Sequence, residues 1–145
     1  MSLKPQTTTL AIIKPDVFQA RRAGAVVSML EDAGFTIRAS RVLQLKREEA
    51  EAFYAIHRER NFFDSLVKFM TSGVCIPLAL EHERAVPYLR EVIGATDPGE
   101  AKTGTVRAVH GESKERNAIH GSDSDANARI ELGFFFSQLD WMTKI

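Results

Sequence analysis

Short apolar runs alternate with amphipathic stretches along the chain, and this pattern predicts a mixed α/β domain. Residues 9–14 form a nearly continuous apolar run halted by Pro15, which is typical of a buried central strand that delivers Lys14 to its carboxyl end. Residues 35–45 alternate apolar and polar positions, as a half-buried strand does. Residues 74–80 predict a further strand, although Pro77 would remove a hydrogen-bond donor there and suggests an edge or a bulge.

Helical spacing of apolar residues fills the intervals between these strands. The predicted helices span residues 24–33, 47–57, 62–71, 84–93 and 124–136. Ser124 is expected to cap the last helix. This element order predicts a ferredoxin-like α/β sandwich, in which helices cover a four-stranded antiparallel sheet.

Residues 94–117 have no clear periodicity and contain Pro98, Gly99, Gly104 and Gly111. A structureless segment of that length inside a compact domain is usually functional or disordered. Because this one directly precedes His120 and its polar neighbours, we expect a functional loop.

Length and charge narrow the class of protein. A chain of 145 residues predicts one domain, covering residues 1–145. Lys plus Arg balance Asp plus Glu at 19 each, so the chain has no general attraction to nucleic acid or to an anionic membrane. Any polyanion that it binds should be small and held locally.

Cysteine usage and hydropathy point to a cytoplasmic enzyme or binding protein. Cys75 is the single cysteine, which excludes an intramolecular disulfide framework and predicts a small buried hydrophobe. No apolar run approaches the length of a membrane span, and the first nine residues have no signal-peptide core.

The chemistry of the chain is most concentrated in the string Asn-Ala-Ile-His-Gly-Ser-Asp-Ser at residues 117–124. His120 stands there among small and polar residues, and an imidazole is a nucleophile near neutral pH without a separate base. Gly121 is expected to let a bulky substrate approach the backbone, and Ser122 and Asp123 to fix the local geometry. The alternative is a polar turn that opens a helix and holds an inert His120, and the string alone does not decide between them.

No glycine-rich phosphate loop and no His/Cys metal motif occurs, so scattered side chains must carry the chemistry. The candidates combine cations, hydroxyl and amide donors and an aromatic ring, which together suit a phosphate chain and a ribose: Lys14, Tyr54, Phe62, Arg90, Thr96, Arg107 and Asn117. Each of them singly also has an ordinary explanation as a solvated cation, a core aromatic or a turn residue. His57, His82 and His110 compete with His120 for the role of nucleophile.

Six pieces of the chain resemble the nucleoside diphosphate kinase family, in the order and spacing of that family. They are Ile-Ile-Lys-Pro-Asp at 12–16, Phe-Phe at 62–63, Met-Thr-Ser-Gly at 70–73, Gly-Ala-Thr-Asp-Pro at 94–98, Gly-Thr-Val-Arg at 104–107 and the string around His120. The resemblance covers about residues 9–136. It departs from the family pattern at Val17, Asn61, Pro77, Thr103 and Val109-His110, none of which is a proposed contact residue.

The resemblance implies a ping-pong enzyme that moves the γ-phosphoryl group of a nucleoside triphosphate, typically ATP, to a nucleoside diphosphate. His120 would carry the phosphoryl group on Nδ1, with Nε2 held by Glu131 and the surroundings supported by Ser122. Lys14, Tyr54, Arg90, Thr96 and Arg107 would surround the phosphates. Phe62 would stack on a base whose edges are barely read, and Lys14 and Asn117 would contact the sugar.

The resemblance also implies a metal and an assembly. Mg²⁺ would arrive with the nucleotide and bridge its phosphates, without a site held mainly by the protein. Family members assemble as tetramers or hexamers, so we expect a homo-oligomer without nucleic-acid or membrane partners.

Two other functions compete with this interpretation. A nucleotide-binding regulatory module on the same fold would bind nucleotide without forming a phosphoenzyme. A protein-to-protein histidine phosphotransfer module would expose its histidine on a helical bundle, which the mixed α/β pattern does not favour.

Overall fold

The computed structural model describes residues 6–142, which fold into an antiparallel sheet with helices on both of its faces. The strands are β1 (Thr8–Ile13), β2 (Thr36–Ser40), β3 (Leu43–Gln44), β4 (Val74–Glu81) and β5 (Ile119–Gly121). The helices are α1 (Pro15–Gln19), α2 (Ala23–Asp32), α3 (Arg47–Phe53), α4 (Phe63–Met70), α5 (Ala85–Ile93), α6 (Val106–His110), α7 (Asp125–Phe135) and α8 (Gln138–Met142).

The sheet has the strand order β2-β4-β1-β5, and the two-residue β3 pairs with β4 beyond the end of β2. The pairs β1–β4, β1–β5 and β2–β4 are all antiparallel. Without β3, the spatial order is second, third, first, fourth, with α2 following the first strand and α5 the third. This β-α-β-β-α-β arrangement confirms the predicted ferredoxin-like sandwich.

Alternation along β1 divides the buried side chains into two cores, because successive residues of a strand point to opposite faces. Leu10 and Ile12 pack with residues of α3, α4 and α7 on one face. Ala11 and Ile13 pack with residues of α2, α5 and β5 on the other. The continuous apolar run therefore reflects a central strand buried on both sides.

The strand predicted over residues 35–45 is interrupted in the structure. β2 ends where Ser40 lies opposite Leu78, and β3 begins where Leu43 lies opposite Cys75. Pro77 lies at this interruption, and its carbonyl accepts the N–H of Arg41 at 3.1 Å. Since the N–H and C=O of a strand residue point to the same side, the donor that proline lacks would have faced the gap. The edge position suggested for Pro77 is thus wrong, because β4 is central, but the missing donor falls where no strand pairs.

Two further segments differ from the sequence prediction. The predicted helix over 47–57 ends at Phe53 and is followed by a 3₁₀ turn at Ala55–His57. The segment 94–117 contains a 3₁₀ turn at Pro98–Glu100 and the helix α6, which the glycines and the short length of both elements conceal from a periodicity argument.

Three smaller expectations concern single residues and hydropathy. Cys75 is buried in β4, as predicted for a small hydrophobe. Ser124 caps α7, since its hydroxyl accepts the N–H of Asn127 at 3.1 Å. Between residues 6 and 142, no helix combines the length and the hydropathy needed to cross a bilayer.

Candidate active site

The candidate residues lie around one pocket of about 510 Å³ beside the carboxyl end of β1. Nine of the ten predicted residues line it: Lys14, Tyr54, Phe62, Arg90, Thr96, Arg107, Asn117, His120 and Glu131. The tenth, Ser122, is fully buried and hydrogen-bonded to Glu131 behind the pocket. Elements far apart in sequence thus bring the predicted side chains together.

His120 lies on β5, where it pairs with Ile12 of the central strand. Its Nε2 lies 2.6 Å from Oε1 of Glu131, which also accepts the Ser122 hydroxyl at 2.8 Å. An ionised carboxylate only accepts hydrogen bonds, so Nε2 must carry the hydrogen. In the neutral ring Nδ1 then keeps its lone pair, and it makes no hydrogen bond to any residue from 6 to 142.

Two aromatic side chains contact the His120 ring edge-on. The ring centroid of Phe53 lies 5.4 Å from that of His120, and the centroid of Tyr54 lies 6.2 Å away. The Tyr54 hydroxyl is buried and has no hydrogen-bond partner among the described residues. Burial raises the pKa of Tyr54, so its hydroxyl stays a donor, available to a ligand oxygen in the pocket.

Lys14 and Asn117 form the floor of the pocket. The Lys14 ammonium donates to Oδ1 of Asn117 at 2.7 Å and to the carbonyl of Glu115 at 3.4 Å. Nδ2 of Asn117 donates to the carbonyls of Thr96 and Lys114. Burial, and to a smaller extent the charge of Arg107, lower the pKa of Lys14 to about 8.

Arg107 is held in place without a carboxylate. Its two terminal nitrogens donate to the carbonyls of Gly94 and Ile119, at 3.0 and 2.8 Å. Burial, and to a smaller extent the nearby charge of Arg90, lower its pKa to about 10. Within residues 6–142, Lys14, Arg90 and Arg107 form no ion pair with an acidic side chain. The pocket therefore concentrates positive charge that an anion can neutralise.

Phe62 and Thr96 lie at the exposed side of the pocket. Phe62 precedes α4, and 43% of its surface is exposed although the residue is large and apolar. Its ring lies 5.5 Å from the imidazole of His57, which also lines the pocket. An exposed aromatic face at a pocket mouth offers a stacking surface for a flat ligand.

The competing histidines lie in other surroundings. His57 packs beside Tyr54 and Phe62 on the outer wall. His82 packs between Phe35 and Tyr88 on the far part of the sheet. His110 ends α6, and burial together with the charge of Arg22 lowers its pKa. His120 alone among the four combines the pocket, an imidazole–carboxylate contact and the adjacent cations.

Gly121 has a packing role in addition to its expected place at the site. A Cβ built on Gly121 would lie 3.0 Å from Cδ1 of Ile93 and 3.3 Å from Cδ2 of Leu89. The missing side chain thus leaves room for α5 to pack against β5, on the core side of the strand. Packing therefore requires a small residue here, and Gly121 also lines the pocket, where a ligand can approach its backbone as expected.

Beyond the ten predicted site residues, the pocket includes among others Ile56, Leu66, Lys114, Glu115, Asp123 and Asn127, of which Asp123 was expected only to fix the local geometry beside His120. The signal available for Asp123 was its place next to the His120 string. Lys114 and Glu115 belong to the segment without periodicity, so no pattern distinguishes them from solvated loop residues.

The protein groups in the pocket could hold a divalent cation only together with oxygen atoms from a bound ligand. The described residues contain no group of three His, Cys, Asp or Glu side chains that could hold a metal. The pocket does contain the Asp123 carboxylate, which is exposed and accepts Nδ2 of Asn127 at 2.6 Å. One carboxylate and an anionic ligand suit Mg²⁺, which keeps several waters and few protein ligands.

Comparison with known families gives an independent result. The model of the family described as nucleoside diphosphate kinase matches residues 7–141. A protein of that name from Chlorobium chlorochromatii is 54% identical over 129 residues, 89% of this chain and 92% of that protein. Another from Salinibacter ruber is 46% identical over 130 residues, 90% of this chain and 92% of that protein.

Comparison with solved structures finds the same family. The Aquifex aeolicus nucleoside diphosphate kinase superposes with a TM-score of 0.91 at 40% identity, covering 93% of this chain and 98% of that one. A halophilic nucleoside diphosphate kinase from Halobacterium salinarum, solved in complex with CDP, gives a TM-score of 0.90 at 32% identity, with 95% and 92% coverage.

Proposed function

The chain belongs to the nucleoside diphosphate kinase family, and from this premise we propose how its own residues transfer the γ-phosphoryl group of a nucleoside triphosphate to a nucleoside diphosphate. One observation carries the proposal. His120 presents a free Nδ1 in the same pocket as Lys14, Arg90 and Arg107, which have no acidic partners among residues 6–142. A nucleophile beside unpaired cations is the arrangement that phosphoryl transfer requires.

In the first half-reaction, the Nδ1 lone pair of His120 attacks the γ-phosphorus. An N–P bond forms, the bond from phosphorus to the bridging oxygen breaks, and the nucleoside diphosphate leaves with that electron pair. The attacking nitrogen carries no hydrogen, so this step needs no general base. The ring becomes positive, and the Glu131 carboxylate at Nε2 stabilises that charge.

In the second half-reaction, a terminal phosphate oxygen of another nucleoside diphosphate attacks the phosphohistidine. An O–P bond forms, the N–P bond breaks and the electron pair returns to Nδ1 of His120. The two nucleotides thus use one pocket in turn. Ser122 holds Glu131 from behind and keeps the carboxylate against Nε2 through both steps.

The remaining pocket residues hold the nucleotide. Lys14, Arg90, Arg107 and the Tyr54 hydroxyl neutralise or bond the phosphate oxygens, and Thr96 adds a hydroxyl. Phe62 stacks on the base, while Lys14 and Asn117 contact the sugar. Stacking does not depend on base identity, which agrees with transfer among different nucleotides.

We also propose that Mg²⁺ enters with the nucleotide. Bound there, it would neutralise phosphate charge and orient the phosphate chain. Asp123 is the pocket carboxylate that would hold it, through bound waters or directly.

Intact mass tests the proposal. After mixing with ATP and Mg²⁺, the protein should gain one phosphoryl group, and GDP should then remove that group as GTP. The control is His120→Ala, which should keep its fold and much of its nucleotide affinity but gain no mass. Nucleotide binding without any mass gain in the unaltered protein would favour the regulatory module instead.

We further propose a cytoplasmic homo-oligomer of four or six chains. The partly exposed strand β2 forms one edge of the sheet within residues 6–142, and open edges in native proteins are usually covered or paired. The balanced charge offers no obstacle to association. Light scattering during gel filtration should give a mass of four or six times 16.2 kDa, and a single-chain mass contradicts this.

A further inference from the structure

The backbone just before His120 is strained at Ala118. The described non-glycine residues with positive φ are Arg21 and Ala118, and φ of Ala118 is 78°. The N–H of Ile119 donates to the carbonyl of Asn117 at 2.9 Å, which closes a three-residue γ-turn around Ala118. An alanine in this conformation costs about 1 kcal/mol or more, so the surroundings must hold it.

Two hydrogen bonds hold Ala118, and both come from residues that directly follow β1. Oδ2 of Asp16 accepts the N–H of Ala118 at 3.1 Å, and the N–H of Lys14 donates to the carbonyl of Ala118 at 2.9 Å. The second bond is made by the backbone, so any residue at position 14 except proline retains it. The first depends on a carboxylate side chain that is buried, with 7% of its surface exposed.

Burying this carboxylate is costly, which argues for a specific role. Burial raises the pKa of Asp16, while the N–H groups of Val17 and Ala118 and the charge of Lys14 act in the opposite direction. Among the described residues, Asp16 neither lines the pocket nor forms an ion pair, and its hydrogen bond to Ala118 is the contact that joins it to the segment before His120.

The γ-turn lies between the groups that the proposed reaction needs at fixed spacing. Asn117, before it, bonds Lys14 at 2.7 Å. The Ile119 carbonyl, after it, accepts the Arg107 guanidinium at 2.8 Å, and His120 follows directly. Relaxing Ala118 to negative φ would rotate Asn117 against His120 and Arg107.

We propose that Asp16 is a positioning residue, which holds the γ-turn at Ala118 and thereby sets His120 against the phosphate-binding cations. This inference rests on the proposed function. It concerns a residue that touches neither nucleotide nor phosphoryl group in that mechanism.

The test compares the rate of His120 phosphorylation by saturating ATP and Mg²⁺ among variants at positions 16 and 118. Asp16→Ala should slow this step by about 10- to 100-fold, because small displacements of reacting groups have effects of that size. Asp16→Asn should stay within a few-fold of the unaltered protein, since its amide oxygen accepts the same N–H. The matched control is Asp140→Ala, which removes a carboxylate that accepts the N–H of Ser137 outside the site.

The decisive variant combines Asp16→Ala with Ala118→Gly. Glycine adopts positive φ without the alanine penalty, so most of the lost rate should return. A general structural role for Asp16 would not be repaired by this change at position 118. If Asp16→Ala alone does not fold, the double variant should still fold and phosphorylate.

Each other outcome overturns the inference. An Asp16→Ala protein as fast as the unaltered one shows that the turn needs no clamp. A double variant that is unfolded, or as slow as Asp16→Ala, shows that Asp16 acts elsewhere. If the unaltered protein forms no phosphoenzyme, the proposed function fails instead, which keeps the two failures distinct.

Discussion

At the residue scale, Lys14 combines a burial cost with a proposed binding role. The residue is 6% exposed, and its ammonium is bonded to an amide oxygen and a carbonyl, without an ion pair to an acidic side chain in residues 6–142. Burial and the charge of Arg107 lower its pKa to about 8. A bound phosphate adds the missing negative charge and must raise that pKa again.

Proton uptake on nucleotide binding follows from this shift. At pH 8.5 free Lys14 is mostly neutral, so binding ADP should take up as much as about 0.75 proton, against about 0.1 at pH 7. The protonated form is the one that binds, so affinity should be level below pH 8 and fall above it. Calorimetry in buffers of different ionisation enthalpy measures the uptake.

Lys14→Arg is the control for that measurement, because its guanidinium stays charged throughout this pH range. The uptake specific to pH 8.5 should disappear in this variant. Equal uptake by both proteins would assign the proton to another group.

A second prediction concerns Phe62. Phe62→Ala should weaken binding of ADP, GDP, CDP and UDP alike, by about 10-fold, because the stacking surface is lost whichever base is bound. Phe18→Ala is the matched control, since Phe18 is similarly exposed, at 36%, and lies outside this pocket. Dissociation constants from fluorescence titration check it, and a large loss confined to one base would contradict simple stacking.

Single residues could be selected from the sequence where a motif marks them. The polar string around His120 and the cation at the end of an apolar strand were such marks, and both residues line the pocket. Asp16 could not be given a role in this way. Its partner is the N–H of Ala118, 102 positions away, and no sequence pattern reveals a positive φ at an alanine.

At the element scale, α7 carries Glu131, whose carboxylate contacts Nε2 of His120. Its start is fixed by Ser124, whose hydroxyl accepts the N–H of Asn127 at 3.1 Å. This bond satisfies one of the N–H groups that a helix start leaves without an intrahelical partner.

Ser124→Ala should therefore lower the free energy of unfolding by about 1 kcal/mol, or the melting temperature by about 2–4 °C. Ser137→Ala is the control, because the Ser137 hydroxyl makes no hydrogen bond to the part of the chain that the structure describes. Thermal unfolding followed by circular dichroism compares the two. Equal melting temperatures for both variants would remove the cap as a source of stability.

Elements with a strong period could be predicted, and short ones could not. The run over residues 9–14 and the stripes of α2, α4 and α5 correspond to observed elements, because burial dictates their residue types. α6 has five residues, too few to display a helical period. The break between β2 and β3 depends on pairing with Pro77, which lies more than 30 residues further along the chain.

At the scale of the whole molecule, the sheet is a shared wall between two cores and the pocket lies at one end of it. Lys14 continues from β1, the central strand of both cores, and His120 lies on β5 beside it. Both groups are anchored to the most buried part of the fold, while the cations Arg90 and Arg107 come from α5 and α6. Apolar packing and strand pairing thus position these groups.

Metal removal should consequently separate activity from stability. EDTA should abolish phosphoryl transfer, because Mg²⁺ is proposed to neutralise and orient the nucleotide phosphates, and added Mg²⁺ should restore it. The melting temperature without nucleotide should change by less than about 1 °C, since between residues 6 and 142 no cluster of His, Cys, Asp or Glu could hold a metal. Asp123→Asn should raise the Mg²⁺ concentration for half-maximal transfer by about 5-fold, because one charged ligand is lost. Asp64→Asn is its control, as the Asp64 carboxylate is exposed and outside the pocket. A large fall in melting temperature with EDTA would instead require a metal bound by the protein itself.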